Sequence, residues 1–296
     1  MTNILGKSEK RFQVIIHIIL IFMALAAILP LWVLVAGSVT GEQELILEGY
    51  SLMPKTFSLD AYKYLFYKAS EIFRAYGITV FITVVGTAAS LFITPLLAYP
   101  LSRKDFKARN IFSFLVFFTM LFNGGIVPSY IMWTRIFHLK NTITALILPG
   151  LLMNGFNVIL MKNYFAQNIP AELIEAAKMD GAGEFKIFFK MILPLSLPIM
   201  ATVGLFVGIG YWNDWTNGLY YVTDAKLYSL QNLLNRILQD VQFLNSSTMT
   251  NAGVAATTQM PSVSIRMAIS VVGILPIMVL SFRYRFRPMP KIARKQ

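Results

Sequence analysis

The sequence predicts an all-α, polytopic membrane protein with six transmembrane helices, and three observations carry that prediction. Apolar residues make up 56% of the chain and charged residues 14%, whereas a soluble domain is about a quarter charged. The apolar residues gather into stretches of 20 or more positions with almost no Asp, Glu, Lys or Arg, the length a helix needs to cross a bilayer. The basic residues fall between those stretches, in clusters that alternate between rich and poor.

Phe12–Gly37 is the first stretch, with basic residues before it. Its length exceeds a signal-peptide core and no small-residue cleavage site follows, so it reads as a retained helix. Ala75–Ser102, Asn110–Thr134, Asn141–Met161 and Met191–Asn213 are the next four. A sixth, about Pro261–Phe282, contains one charge, Arg266. Pro30, Pro95, Pro149, Pro198 and Pro276 recur inside these stretches, which predicts a packed bundle whose neighbours satisfy the freed backbone groups. The chain then divides into an N-terminal helix with an external segment (1–70), a membrane core (71–285) and a basic tail (286–296).

With the N-terminus inside, the inner segments hold 17 of the 26 Lys and Arg residues and the outer segments 8. The bias repeats loop by loop and predicts both termini in the cytoplasm. Net charge is +12, but its confinement to short inter-span clusters reads as membrane topology, with no nucleic-acid partner. The absence of cysteine excludes disulfides, iron–sulfur centres and thiol catalysis. His17 and His138 lack metal-ligand spacing, and His17 reads as an interfacial side chain.

The informative segment lies between the fourth and fifth stretches: FAQNIPAELIEAAKMDGAGEFKIFFKMILP, residues 165–194. It reads as two short helices. Pro170 suits a first helical position, and Glu172 and Glu175 favour the N-terminal half through the helix dipole. Leu173, Ala176 and Ala177 are spaced i, i+3, i+4 and form a small apolar stripe on a helix about 14 Å long. Asp180 precedes Gly181 and Gly183, which stop the first helix. In the second, Phe185, Phe188 and Phe189 are expected toward the membrane, with Lys186 and Lys190 toward water. Such a small-faced helix suits a groove on a soluble partner, and equally suits resting on the inner leaflet.

Glu175-Ala176-Ala177, then Gly181, then Leu193-Pro194 resemble the signature of ABC import permeases: Glu-Ala-Ala, three residues, Gly, nine residues, Ile, one residue, Leu-Pro. Met191 stands where that pattern has Ile. The residues 51–66, 123–131, 211–224 and 261–276 resemble the carbohydrate-import branch, a maltose-importer-like second permease subunit handling polysaccharide-derived oligosaccharides. The tail RPMPKIARKQ departs from that branch. The resemblance implies a type I ABC importer transmembrane domain in a bacterial cytoplasmic membrane. It implies a homologous second permease, two ATPase subunits that bind ATP and Mg, and an extracytoplasmic solute-binding protein. It also implies that Glu172, Glu175, Ala176, Ala177, Asp180 and Gly181 couple to the ATPase.

No Gly-x-x-x-x-Gly-Lys-Ser/Thr motif occurs, so no ATP-binding site or other cofactor is expected in this chain, and no catalytic constellation stands out. Candidates for a substrate path are the few polar groups of the spans. Trp212, Asn213, Asp214, Trp215 and Asn217 follow the fifth stretch, where flat rings beside amides suit a sugar, or serve as an interfacial aromatic belt. Asn154 and Asn157, expected mid-span in the fourth helix, either line a path or bond between helices. Arg266 could meet an acidic sugar, pair with Asp214, or snorkel to the interface. A secondary transporter is disfavoured because no span carries a buried acidic coupling residue, and a permease for peptides, amino acids or polyamines because of the outer motifs.

Overall fold

Long apolar runs without a surrounding aqueous phase satisfy their backbone polar groups internally, and helices are the open-ended way to do so. The structure is a computed structural model that describes residues 7–250 and 262–285, with side chains over 12–240, 242–243 and 263–276. The basic tail 286–296 and the residues 251–261 lie outside the described residues. The described backbone consists of helices and loops, with one isolated antiparallel bridge, Thr40–Phe57. It divides into two compact units, 1–69 with 234–296, and 70–233.

In the first unit, α1 (Lys7–Ser38) packs along α14 (Ser262–Arg285). α1 is exposed from Phe12 to Trp32, as a surface facing hydrocarbon would be. Two short helices follow, α2 (Glu42–Leu47) and α3 (Asp60–Tyr67). Their carboxylates do structural work that composition does not reveal. Glu42 accepts from Val263 N (2.8 Å), Ser264 N (2.9 Å) and Ser264 Oγ (2.8 Å), occupying orphan donors in the first turn of α14. Glu44 accepts from Lys55 N (3.0 Å), Thr56 N (2.7 Å) and Thr56 Oγ1 (2.6 Å), and these bonds hold its carboxyl below the ordinary value.

The second unit is built on α4 (Ala69–Ser102), a helix of 34 residues. It continues through α5 (Arg109–Leu121), α6 (Ile126–Ile131) and α7 (Gly155–Asn168). Next come α8 (Ala171–Met179), α9 (Glu184–Ile187) and α10 (Leu193–Leu195). α11 (Leu197–Asn213) and α12 (Thr216–Tyr221) follow, and α13 (Leu230–Thr250) runs out of the unit. One core joins α4, α7, α8, α9 and α11, with Ile82, Leu146, Met161, Ile187, Ile192, Val203 and Tyr211 among its buried members.

Two helices among the described residues are long and apolar enough to span by themselves, Phe12–Ser38 and Ala69–Ser102. The third predicted span, Asn110–Thr134, breaks: Arg109–Leu121 and Ile126–Ile136 meet at 112°. There Asn123 Oδ1 accepts from Gly125 N (2.9 Å), a side-chain turn that competes with the helix ladder. The fourth, Asn141–Met161, is corrected more deeply. Its first half is a 3₁₀ turn (Ile143–Leu146) and a loop through Pro149 and Gly150, and α7 starts only at Gly155 and runs on to Asn168. Pro149 therefore kinks no helix. The fifth bends by 79° between Glu184–Leu195 and Leu197–Asn213, where buried Ser196 donates to Ile192 O (2.6 Å) and Pro198 opens α11.

A candidate docking loop and a polar cluster

α8 begins after Pro170, which is extended (φ −61°, ψ 139°) and precedes the helix instead of occupying its first turn. The exposed positions Glu172, Glu175, Ala176 and Met179 are spaced i, i+3, i+4, i+7 and share one face. Met179 is 88% exposed. Ala177 is buried in the core, with Ile174 packed beside it. The expected Leu173–Ala176–Ala177 stripe is thus split: Ala177 anchors the helix inward and Ala176 stays on the free face.

Asp180, exposed, ends the helix. Gly181 follows at φ +76°, in the left-handed region where a Cβ is penalised. Ala182 N then donates to Ala177 O (3.0 Å), closing the turn. Gly183 has ordinary extended angles (φ −70°, ψ 158°), and no left-handed turn is needed there. Beyond it Phe185 and Phe189 are exposed, with Lys186 and Lys190, but Phe188 is corrected: it is 3% exposed and turned inward, its ring 5.4 Å from that of Tyr99.

Four charges surround this turn. Arg103, just past α4, pairs with Asp105 and with Glu184. Lys178 on α8 reaches the same two acids, Glu184 at 3.1 Å and Asp105 at 3.5 Å. The four form a closed ring in which each acid meets both bases. Tyr99 lies beneath, its hydroxyl accepting from Arg103 (3.2 Å) and donating to Glu184 (3.4 Å), with the guanidinium 5.6 Å from its ring centre. The Arg103 hydrogen bonds hold Asp105 down to about 2, and Glu184 pushes Lys178 up.

At the far end of α11 the second candidate group is only partly brought together. Asp214 is 8% exposed and turns its Oδ1 onto Thr216 Oγ1 (2.7 Å), Thr216 N (3.2 Å) and Asn217 N (3.3 Å). That is the pattern of a helix-start cap for α12, so this oxygen is committed locally. Asp214 Oδ2 is buried without a partner. Asn217 Nδ2 donates to Pro149 O (3.0 Å). Trp212 is buried and tilted against Tyr76, with ring centres 6.5 Å apart, whereas Asn213 and Trp215 are exposed.

Asn154 is corrected from mid-helix to the cap of α7: it is exposed, and its Oδ1 accepts from Phe156 N (2.9 Å). Asn157 lies one turn on and is 6% exposed. Both open onto a cavity of about 470 Å³ that Gly150, Leu151, Phe206 and Gly210 also line. Arg266 belongs to the first unit, exposed on α14, its carbonyl accepting from Ser270 Oγ (2.9 Å).

A family model described as the binding-protein-dependent transport system inner membrane component matches residues 91–286. The chain belongs to that family. In Bacillus subtilis, Protein LplC is 43% identical to this permease over 255 residues, covering 86% of this chain and 83% of its own. The polygalacturonan/rhamnogalacturonan transport system permease protein YtcP of the same organism is 39% identical, over 92% of this chain and 93% of its own. The crystal structure of a bacterial ABC transporter involved in the import of the acidic polysaccharide alginate matches with a TM-score of 0.74 and 28% identity. That match covers 96% of the permease and 99% of the solved chain. Members of this family are membrane components of transport systems, and the permease is a transport subunit in place of an enzyme.

Sequence reasoning missed the ion ring. Arg103 and Lys178 counted only toward topology, yet the acids Asp105 and Glu184 in otherwise basic segments were the available signal. It also missed Tyr211, fully buried with its hydroxyl donating to Ile147 O (2.8 Å), because a tyrosine ending an apolar run reads as an interfacial residue.

Proposed function

We propose that the permease forms half of the translocation path of an ATP-driven importer, taking an oligosaccharide from an extracytoplasmic binding protein. Its other half is a homologous but distinct permease, and two ATPase subunits bind the ATP and Mg²⁺. Six crossings in the bacterial cytoplasmic membrane, both termini inside and lipid around α1, complete the reading, supported by the charge bias. One observation carries it: α8 presents Glu172, Glu175, Ala176 and Met179 as a free face, while Ala177 behind it is buried in the core. A helix anchored on one side and bare on the other is built to enter a partner's groove. Glu175 would meet basic residues there, and Asp180 and Gly181 would set the turn.

For the cargo, the relative named for polygalacturonan/rhamnogalacturonan transport supports a plant-type oligosaccharide. The cavity beside Asn154 and Asn157 offers amides together with the exposed rings of Phe156 and Phe206. That combination suits a sugar's hydroxyl rim and apolar faces. Trp212, Asn213, Trp215, Asn217 and Asp214 serve as the outer frame of the path. Co-purification tests the reading. The permease should bring down an ATPase, and Glu175→Lys should detach it or abolish substrate-stimulated hydrolysis. Normal assembly and stimulated turnover in Glu175→Lys would overturn the docking role. A panel of oligogalacturonides, arabino-oligosaccharides and alginate oligomers then identifies the cargo by its stimulation of ATP hydrolysis.

A further inference from the structure

We propose that the ring Arg103–Asp105–Lys178–Glu184 is a coupling clamp that passes displacement of α8 to α4. The inference rests on the docking of α8 proposed above. The peptide segment 180–183 joins α8 to α9 through Gly181 at φ +76°, a backbone with little intrinsic stiffness. Rotation there would take up part of a push on α8, beyond what the Ala182 N to Ala177 O bond (3.0 Å) resists. The ring spans that joint: Lys178 precedes it and Glu184 follows it, 3.1 Å apart. Both are tied to the segment just past α4, Lys178 through Asp105 (3.5 Å) and Glu184 through Arg103.

Exposed ion pairs stabilise a fold only weakly, so simple stabilisation is a poor explanation for four charges in a closed ring. Geometry explains more. The Arg103 side chain is 12% exposed, lies over the Tyr99 ring and forks onto two acids. Tyr99 is itself on α4 and packs against Phe188 (5.4 Å) and Phe165 (6.5 Å) of the core. A load on α8 therefore reaches α4 by two routes, through the ring and through Ala177 in the core. Among the described residues, the ring is what crosses the glycine joint with charged contacts. Packed elements joined in this way move as one body.

The test uses the complete complex in nanodiscs. Because the permease has no cysteine, Phe73→Cys supplies a single label site. Phe73 is 75% exposed near the start of α4, about 45 Å along the helix from Arg103. The readout is the change in maleimide labelling rate on adding ATP, Mg²⁺ and vanadate. Lys178→Gln and Glu184→Gln should each reduce that change at least about threefold while the ATPase co-purifies in normal amount. Lys178→Arg should preserve it. The Lys178→Gln/Glu184→Gln double variant should fall no further than the worse single one, as expected for members of one ring. An undiminished change in the Gln variants would overturn the clamp, as would their loss of the ATPase, which would make the ring part of docking. A wild-type permease that binds the ATPase but shows no nucleotide-dependent change at Phe73→Cys would also overturn it. Absence of ATPase from the wild-type preparation would instead overturn the docking reading.

Discussion

Gly86→Ala probes the packing that holds α4 to α11. A methyl group at this position would lie 2.3 Å from Tyr211 Cζ and within 2.7 Å of both neighbouring ring carbons. Carbon atoms in contact sit no closer than about 3.5 Å, so the ring must retreat by about 1.2 Å. Tyr211 is fully buried and its hydroxyl donates to Ile147 O at 2.8 Å. The retreat stretches that bond toward about 4 Å, beyond hydrogen-bonding range. Overpacking costs about 1–3 kcal/mol, and losing a buried hydrogen bond about 1 kcal/mol. The expected total is about 2–4 kcal/mol, read as a fall in the melting temperature of the detergent-purified permease of roughly 5–10 °C. Tyr211→Phe isolates the hydrogen bond and should cost about 1 kcal/mol. Adding Tyr211→Phe to Gly86→Ala should cost less than about 0.5 kcal/mol more, since the first change has already broken the bond. A melting temperature for Gly86→Ala within a degree of wild type, or full additivity in the double variant, would refute the reasoning.

Glu42→Ala removes three hydrogen bonds from the first turn of α14 and should destabilise the first unit by about 1–2 kcal/mol, visible as faster amide exchange at 263–265. Protection unchanged from wild type would exclude the cap. Asn157→Leu should raise the substrate concentration for half-maximal transport severalfold with little effect on basal ATP hydrolysis, because the amide opens onto the cavity away from α8. Equal half-saturation would remove Asn157 from the path. Asp105, held at about 2, contributes stability that is complete above the ordinary carboxylate value and is lost as pH falls through about 2. Lys178, pushed up, contributes below its ordinary value and is lost only as pH rises past its folded one. The melting-temperature gap between wild type and Lys178→Gln should therefore stay flat from about pH 5 to 9. A slope in that window would contradict the ring.

What could be read from the chain was local or compositional. Helical class follows from apolar runs in a medium without water. The loop was legible because its marks are local: a helix face repeats at i, i+3 and i+4, and a left-handed turn needs glycine at the turn itself, as at Gly181. Span boundaries were less legible because hydropathy counts apolar residues and is blind to backbone continuity. Asn123 breaks one run with its own side chain, and the Pro149–Gly150 loop occupies half of another. Asn154 was misplaced for the same reason, since the helix it was assigned to begins at the next residue.

Composition and local turn chemistry were enough to mark the chain as a helical membrane component with a short two-helix loop turned at Gly181, since solvent and turn geometry act on neighbouring residues. Only tertiary structure decided which groups meet. Arg103 and Glu184 are 81 positions apart, and Tyr211 and Ile147 are 64 apart. Partners that distant are set by how the helices cross and bend, through a break at 122–125 and a bend at Ser196. Ala176 and Ala177, adjacent and identical in sequence, end with one exposed and one buried. Residues one apart on a helix point about 100° away from each other, and only the neighbouring helices establish which direction is inside.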